Sequence, residues 1–333
     1  MIKKVRTKEY NYNFSLKTGL FARWGKTLKD DPLFSPLGPE LADIEISTIC
    51  HGLGKPCTWC YKSNIDKGEN MTLKQFKMLF KKFPKNLTQI AFGIGDIDSN
   101  PDMFKIFEYS RDNNVIPNVT INGWNLLDKY ADNLAKLCGA VAVSRYEPKD
   151  VCYDAVKKLT DRGMTQVNIH ALVSEETYDS CFETLKDFSK DSRLKKLNAI
   201  VFLTAKQKGR GEWLTTLSMK KYKKLVNYGL DNKIKIGFDS CSANKFLKAV
   251  KTHPARKKLE QYCEPCESGI FSAYINVKGQ YYPCSFTEGE KGFKPLDVMN
   301  CKDFLKDIWF HKKTIEWRKR LLKNSRNCPV FNI

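Results

Sequence analysis

The stretch whose reading decides the fold is Ile44–Asn64, IEISTICHGLGKPCTWCYKSN. It opens in alternation, the period of a strand with one buried face. Cys50, Cys57 and Cys60 then follow in quick succession, so three thiols belong to the loop that leaves this strand. The insert HGLGKP (51–56) holds two glycines and a proline, which let a chain bulge outward and still bring its sulfurs together. Three thiolates in one loop suit a soft metal centre. A structural zinc wants four protein ligands, and the one extra donor at hand, His51, is strained by its adjacency to Cys50. An iron–sulfur cluster held by three cysteines leaves one iron open to a ligand, a chemical reason for a missing fourth thiol.

Outward from this loop, β-rich runs alternate with amphipathic helical runs. Strands are expected at 41–47, 88–94, 115–121, 140–144, 166–173 and 198–203. Helices are expected to begin near Thr72, Pro101, Asn125, Pro148, Thr177 and Ser218. In LKQFKMLFKKF (73–83), Leu73, Phe76, Leu79 and Phe80 share one face. This rhythm predicts an α/β fold, a partial (β/α)6 barrel of parallel strands followed by a small Cys-rich C-terminal module; an open doubly wound sheet is the related alternative. Either architecture puts the active face at the C-terminal ends of the strands. The expected organisation is an N-terminal extension (1–40), the barrel (41–235) and the module (236–333).

The chain has 333 residues and 42% hydrophobic content, enough for a large core. It holds no apolar run of membrane-spanning length, and MIKKVRTKEYNYNFSLKTG (1–19) lacks the apolar centre of a secretory signal. A soluble, cytoplasmic protein with no membrane partner is expected. Twelve cysteines in a reducing compartment point to metal ligation before disulfides. The formal charge of +20 reads first as a lysine-rich solvated surface, and second as an attraction for polyanions.

The cysteine loop resembles that of the radical S-adenosylmethionine superfamily, whose signature is CxxxCxxC after the first strand of a partial barrel, with an aromatic residue before the last cysteine. Trp59 is that aromatic, and Cys60-Tyr61-Lys62 continues the likeness. This chain departs by placing six residues between the first two cysteines instead of three. FGIGDIDSNPD (92–102) resembles the Gly-Gly-Glu-Pro turn that meets the cofactor's amino group, with Gly95 and Asp96 in the Gly-Glu positions and Ile97 in place of the proline. VTINGWNL (119–126) and AVAVSRYE (140–147) resemble the ends of the third and fourth strands. The resemblance thereby implies that Asn122, Ser144, Arg145, His170 and Leu203 border the cofactor. It implies a [4Fe-4S] cluster on Cys50, Cys57 and Cys60 whose open iron is chelated by S-adenosylmethionine. One electron then cleaves the sulfonium, and a 5′-deoxyadenosyl radical takes a substrate hydrogen. KQKGRGE (206–212) lacks P-loop spacing and reads as a solvated loop.

CESGIFSAYINVKGQYYPC (266–284) is similar to the hairpin of SPASM and twitch modules, which bind auxiliary iron–sulfur clusters in peptide-modifying radical enzymes. Cys266 and Cys284 are its implied ligands. Cys241 and Cys263 complete the expected set, with Cys301 and Cys328 as alternatives. A zinc knuckle is the structural alternative; a zinc ribbon shows two CxxC pairs, and only Cys263–Cys266 qualifies. Cys138, Cys152 and Cys181 fall in predicted helices and read as core. The expected activity is radical modification of a peptide or protein residue, fed by an external low-potential reductant. A radical enzyme acting on nucleic acid or a nucleotide has charge alone behind it: the basic runs KKLVNY and WRKRLLK have no interleaved stacking aromatics. A zinc protein binding nucleic acid or a partner is the non-enzymatic alternative.

Overall fold

The computed structural model describes residues 1–333. The chain opens with three antiparallel strands, β1 (Ile2–Arg6), β2 (Asn11–Ser15) and β3 (Phe21–Trp24). The sequence pattern alone predicts only an extension here, with no strands. Their burial has a strand period: Tyr10, Tyr12 and Phe14 are buried and pack on Ile270, Phe271 and Leu321 from the other end of the chain. Phe21 stacks on Tyr12 with ring centroids 5.0 Å apart.

Seven parallel strands follow: β4 (Leu41–Glu45), β5 (Gln89–Gly93), β6 (Ile116–Ile121), β7 (Val141–Ser144), β8 (Val167–Val173), β9 (Ala199–Thr204) and β10 (Ile236–Phe238). They are linked by α1 (Leu73–Phe80), α2 (Met103–Asp112), α3 (Asp128–Leu137), α4 (Lys149–Thr160), α5 (Tyr178–Asp187) and α6 (Met219–Asp231). Local chemistry sets these ends. Thr72 caps α1 through a capping box, its hydroxyl taking the Gln75 amide (3.2 Å) while the Gln75 side chain takes the Thr72 amide (2.9 Å).

Strand order is sequential from β4 to β10. A doubly wound sheet reverses at a switch point, and none occurs here, so the sheet advances one way as in a (β/α) barrel. The ring does not close. The free edge of β4 takes β11 (Ser272–Ile275) in parallel, and β12 (Gln280–Tyr282) and β13 (Leu296–Asp297) continue antiparallel beyond it. The boundary expected near residue 235 falls between strands of one sheet, because β10 pairs with β9. The remaining helices are α7 (Ala243–Ala249), α8 (Arg256–Glu260) and α9 (Lys312–Lys323). No helix is long and apolar enough to cross a membrane.

Alternation along the strands separates two environments. In β8, Val167, Ile169, Ala171 and Val173 are buried beneath the helices, while Asn168, His170 and Leu172 face inward and stay half-buried. The outward set joins a continuous core with Phe76, Phe92 and Phe107; the latter pair stacks at 4.7 Å. Cys138, Cys152 and Cys181 lie in this core. The basic run of α9 is amphipathic: Trp317, Arg318 and Leu321 are buried, and Arg318 Nε donates to the Gly269 carbonyl at 2.8 Å.

Candidate active site

The cysteine loop lies at the C-terminal end of β4. Cys50 N donates to Ile65 O (2.8 Å), closing the loop's base. Asp96, in the turn after β5, ties three strand ends together. Its carboxylate takes the His51 amide (2.6 Å) and Asn122 Nδ2 (2.9 Å), and lies 3.6 Å from Cys50 Sγ. His51 Nδ1 also meets it at 2.8 Å. Gly95 permits this closeness. A Cβ there would stand 1.8 Å from Ile49 O and 2.6 Å from Cys50 Cβ. Gly95→Ala must therefore displace backbone, and a loss of about 1–3 kcal/mol is expected in urea unfolding, accompanied by a lower iron content.

The segment 206–212, expected to be solvated, is instead packed on the cysteine loop. Arg210 donates from Nε to Cys57 O (2.8 Å), from Nη2 to Asn64 O (2.8 Å) and from its amide to Cys60 O (3.0 Å). Trp213 Nε1 adds a bond to Thr58 O at 3.0 Å. The flanking glycines make room: a Cβ on Gly209 would lie 2.5 Å from Tyr61 O, and one on Gly211 2.7 Å from Trp59 O. Two glycines around an arginine were the available sequence signal, but the carbonyls they approach are some 150 residues away. Arg210→Ala removes the side-chain donors to Cys57 O and Asn64 O, while the backbone bond to Cys60 O stays, and is expected to cost about 1–3 kcal/mol. Hydrogen exchange should quicken at residues 57–64 while the α2 amides keep their protection.

The other expected cofactor-bordering residues divide. Ser144 and His170 are ladder partners, and Leu203 pairs with Leu172, all on the inward side of their strands. His170 sits 3.3 Å from Thr120 Oγ1, and burial pushes its imidazole down to about 4, so it is neutral near pH 7. Arg145 does not join them. Its buried guanidinium is committed to Glu147 (2.9 Å) and Glu183 (3.2 Å), because helix α5 presents a carboxylate to it. Tyr146 packs on Trp59 with centroids 5.4 Å apart, and Trp59 Nε1 is buried without a partner.

The C-terminal thiols are gathered differently from the expected set. Cys266, with Lys206 close by, holds the Cys241 thiol below its ordinary range. Burial pushes Cys284 up to about 12, with added repulsion from Cys241 and Cys328. Cys328 in turn feels Cys241 and Lys206. Cys263 is apart, in a cavity beside Arg23, Glu264 and Glu267. Arg326 grips Pro265 O (2.6 Å), Cys266 O (2.9 Å) and the Glu264 carboxylate, which Arg23 also meets at 3.0 Å. Cys301 is remote, beside Lys82 and Asp307. The two sulfur groups are neighbours in space: Tyr61, next to Cys60, packs on Phe286 at 4.4 Å and meets Ser285 Oγ at 3.3 Å, two residues or fewer from Cys284.

Both groups fit iron–sulfur ligation by donor chemistry. Burial pushes Cys50 up to about 12 against the help of the Gly52 amide, with Asp96 adding repulsion; Cys57 is raised by burial and then by Cys60, against Arg210. Burial and the neighbouring carboxylate disfavour the thiolates where no cation is present, and a bound metal centre reverses that by taking them as ligands. No three Cys, His, Asp or Glu side chains converge on one ion position.

No family model matches the chain, and no curated protein matches it. Among solved structures it is similar to SuiB of Streptococcus suis bound to S-adenosylmethionine (14% identity, TM-score 0.65, 85% of this chain and 68% of that one). SuiB bound to precursor peptide SuiA gives 13% identity, a TM-score of 0.67 and 85% and 67% coverage. It is also similar to anSMEcpe with bound AdoMet and the Cp18Cys peptide (16% identity, TM-score 0.61, 87% of each chain). Those proteins are radical S-adenosylmethionine enzymes. This chain has their fold: a mostly parallel α/β sheet curled as a partial barrel.

Proposed function

We propose that this protein is a radical S-adenosylmethionine enzyme that modifies a residue of a peptide or protein. The observation that carries the reading is the knot at Asp96, which joins the three-thiol loop to the ends of β5 and β6 on the face where such barrels act. Cys50, Cys57 and Cys60 would hold a [4Fe-4S] cluster, which supplies an electron for reductive cleavage of S-adenosylmethionine. Asp96 and Asn122 would meet the cofactor's amino group, and Ser144, His170 and Leu203 would give an inward surface for its nucleoside. Neutral His170 serves there as a hydrogen-bonding group. Arg145 is left out of the cofactor site, since its charge is already paired. Arg210 keeps the loop in shape, and the buried walls exclude water from it.

Cys241, Cys266, Cys284 and Cys328 form the auxiliary centre of this reading. Its closeness to the first loop through Tyr61 and Phe286 puts it beside the interior, where it is suited to bind substrate or accept an electron from it. Residues 41–235 serve as the catalytic barrel, 236–333 as the auxiliary module, and 1–40 as a cover on that module. A low-potential external reductant completes the system. All twelve cysteines are free thiols, which agrees with a cytoplasmic setting. The peptide is favoured over nucleic acid because SuiB and anSMEcpe were solved with peptides bound. Anaerobic incubation with S-adenosylmethionine and dithionite tests the class. Release of 5′-deoxyadenosine supports it; a colourless, iron-free protein that leaves the cofactor intact refutes it.

A further inference from the structure

The inward side of β4 carries two carboxylates, Asp43 and Glu45, because Ala42, Ile44 and Ile46 take the helix side at 0% exposure. The other acids that face or border the interior have donors. Glu45 has Lys62 at 3.1 Å. Glu288 has Lys62, Tyr274 (2.8 Å) and Asn276 (2.7 Å). Asp96 has His51 and Asn122, and Asp239 has Lys206. Asp43 has no hydrogen bond and no ion pair. Its ladder neighbours are Ala91 on β5 and Tyr274 on β11, and the Tyr274 hydroxyl is already shared by Glu45 and Glu288.

A half-buried carboxylate without a donor is costly, and proteins keep such a group where a ligand supplies the missing partner. Burial alone pushes Asp43 up to about 6, since no cation opposes it. The setting adds direction. Around this interior stand the five carboxylates named above against three ammonium groups, Lys62, Lys206 and Lys208 on the Glu288 carbonyl, inside a protein whose formal charge is +20. A negative interior within a positive shell attracts a cation inward and discourages an anion.

We propose that Asp43 receives a basic side chain of the peptide, a lysine or arginine, and thereby selects the residue that enters the barrel. The inference rests on the peptide-modifying reading above. The ammonium of S-adenosylmethionine is the other cation at hand. It is disfavoured because Asp43 lies two strand positions below Glu45, deeper than the turn where Asp96 meets the cysteine loop, and two positions span about 6.6 Å.

The test uses the reconstituted holoenzyme and four dye-labelled random peptide pools, fixed at the centre as lysine, arginine, norleucine or glutamate. Fluorescence anisotropy is expected to show the lysine or arginine pool binding about tenfold or more tighter than the norleucine pool. Asp43→Asn, which keeps the side-chain shape, should erase that difference, and Asp43→Ser should do the same should the amide find a new partner. Circular dichroism and the urea midpoint certify both folds. Equal binding of the four pools, no binding of any pool, or a preference that survives both substitutions overturns the proposal. So does weaker S-adenosylmethionine binding by Asp43→Asn, which would assign the carboxylate to the cofactor. Release of 5′-deoxyadenosine by the unmodified protein is read alongside: its absence defeats the parent reading, while its presence without a basic preference defeats only the role of Asp43.

Discussion

Replacing Cys57 by alanine will reduce 5′-deoxyadenosine release to the level of dithionite without enzyme. The substitution removes one of three thiolates, and iron–sulfur centres depend on each of their cysteine ligands. It should do so with little damage to the loop. The backbone at Cys57 is held by Arg210 through its carbonyl, which alanine retains, and the side chain is only half-buried. The measurement is chromatographic quantitation after anaerobic incubation, with iron and acid-labile sulfide determined on the same sample. Full release by this variant would contradict the assignment of the thiol. Cys284→Ala offers the contrast: some cofactor cleavage is expected to persist, because the first loop is intact, while peptide product is lost.

The second large effect separates two cysteines that sequence spacing ranks the other way. Cys328→Ala is expected to lower iron from about eight to about four per chain, the content of one [4Fe-4S] cluster, whereas Cys263→Ala should leave iron unchanged. The reason is electrostatic proximity. Cys328 acts on Cys241 and Cys284, while the nearest charge acting on Cys263 is Glu260. Inductively coupled plasma analysis and the visible absorption of thiolate-ligated iron report the outcome. Iron lost from Cys263→Ala and retained by Cys328→Ala would restore the CxxC pair as ligands.

These two predictions also show where sequence reading stops. Cys50, Cys57 and Cys60 are legible because their order along one loop is local, and the alternation before them announces a strand. The strands of the barrel are legible for the same reason: Val167, Ile169, Ala171 and Val173 bury one side, and Asn168 and His170 occupy the other. The meander at 1–24 is not legible because its buried face, Tyr10, Tyr12 and Phe14, is short and finds its partners at Ile270 and Phe271, far along the chain. Arg145 looked available since its acid partner Glu183 lies on a later helix. The loop 206–212 looked solvated since Lys206 and Arg210 are charged, and their counterparts, Asp239 and the Cys57 carbonyl, are remote in sequence.

What the sequence by itself determined is the sequential βα order, the three-thiol loop at the first strand's end and the inward placement of His170, all set by short-range periodicity of strand and helix. Only the tertiary structure decided that the C-terminal hairpin extends the same sheet from β4, that Cys328 stands by Cys241 and Cys284 while Cys263 lies apart, and that Asp43 is left alone among paired acids. The difference has one physical cause. Backbone pattern is written in neighbouring residues, whereas the partner of a buried charge or thiol is settled by which distant segments the folded core presses together.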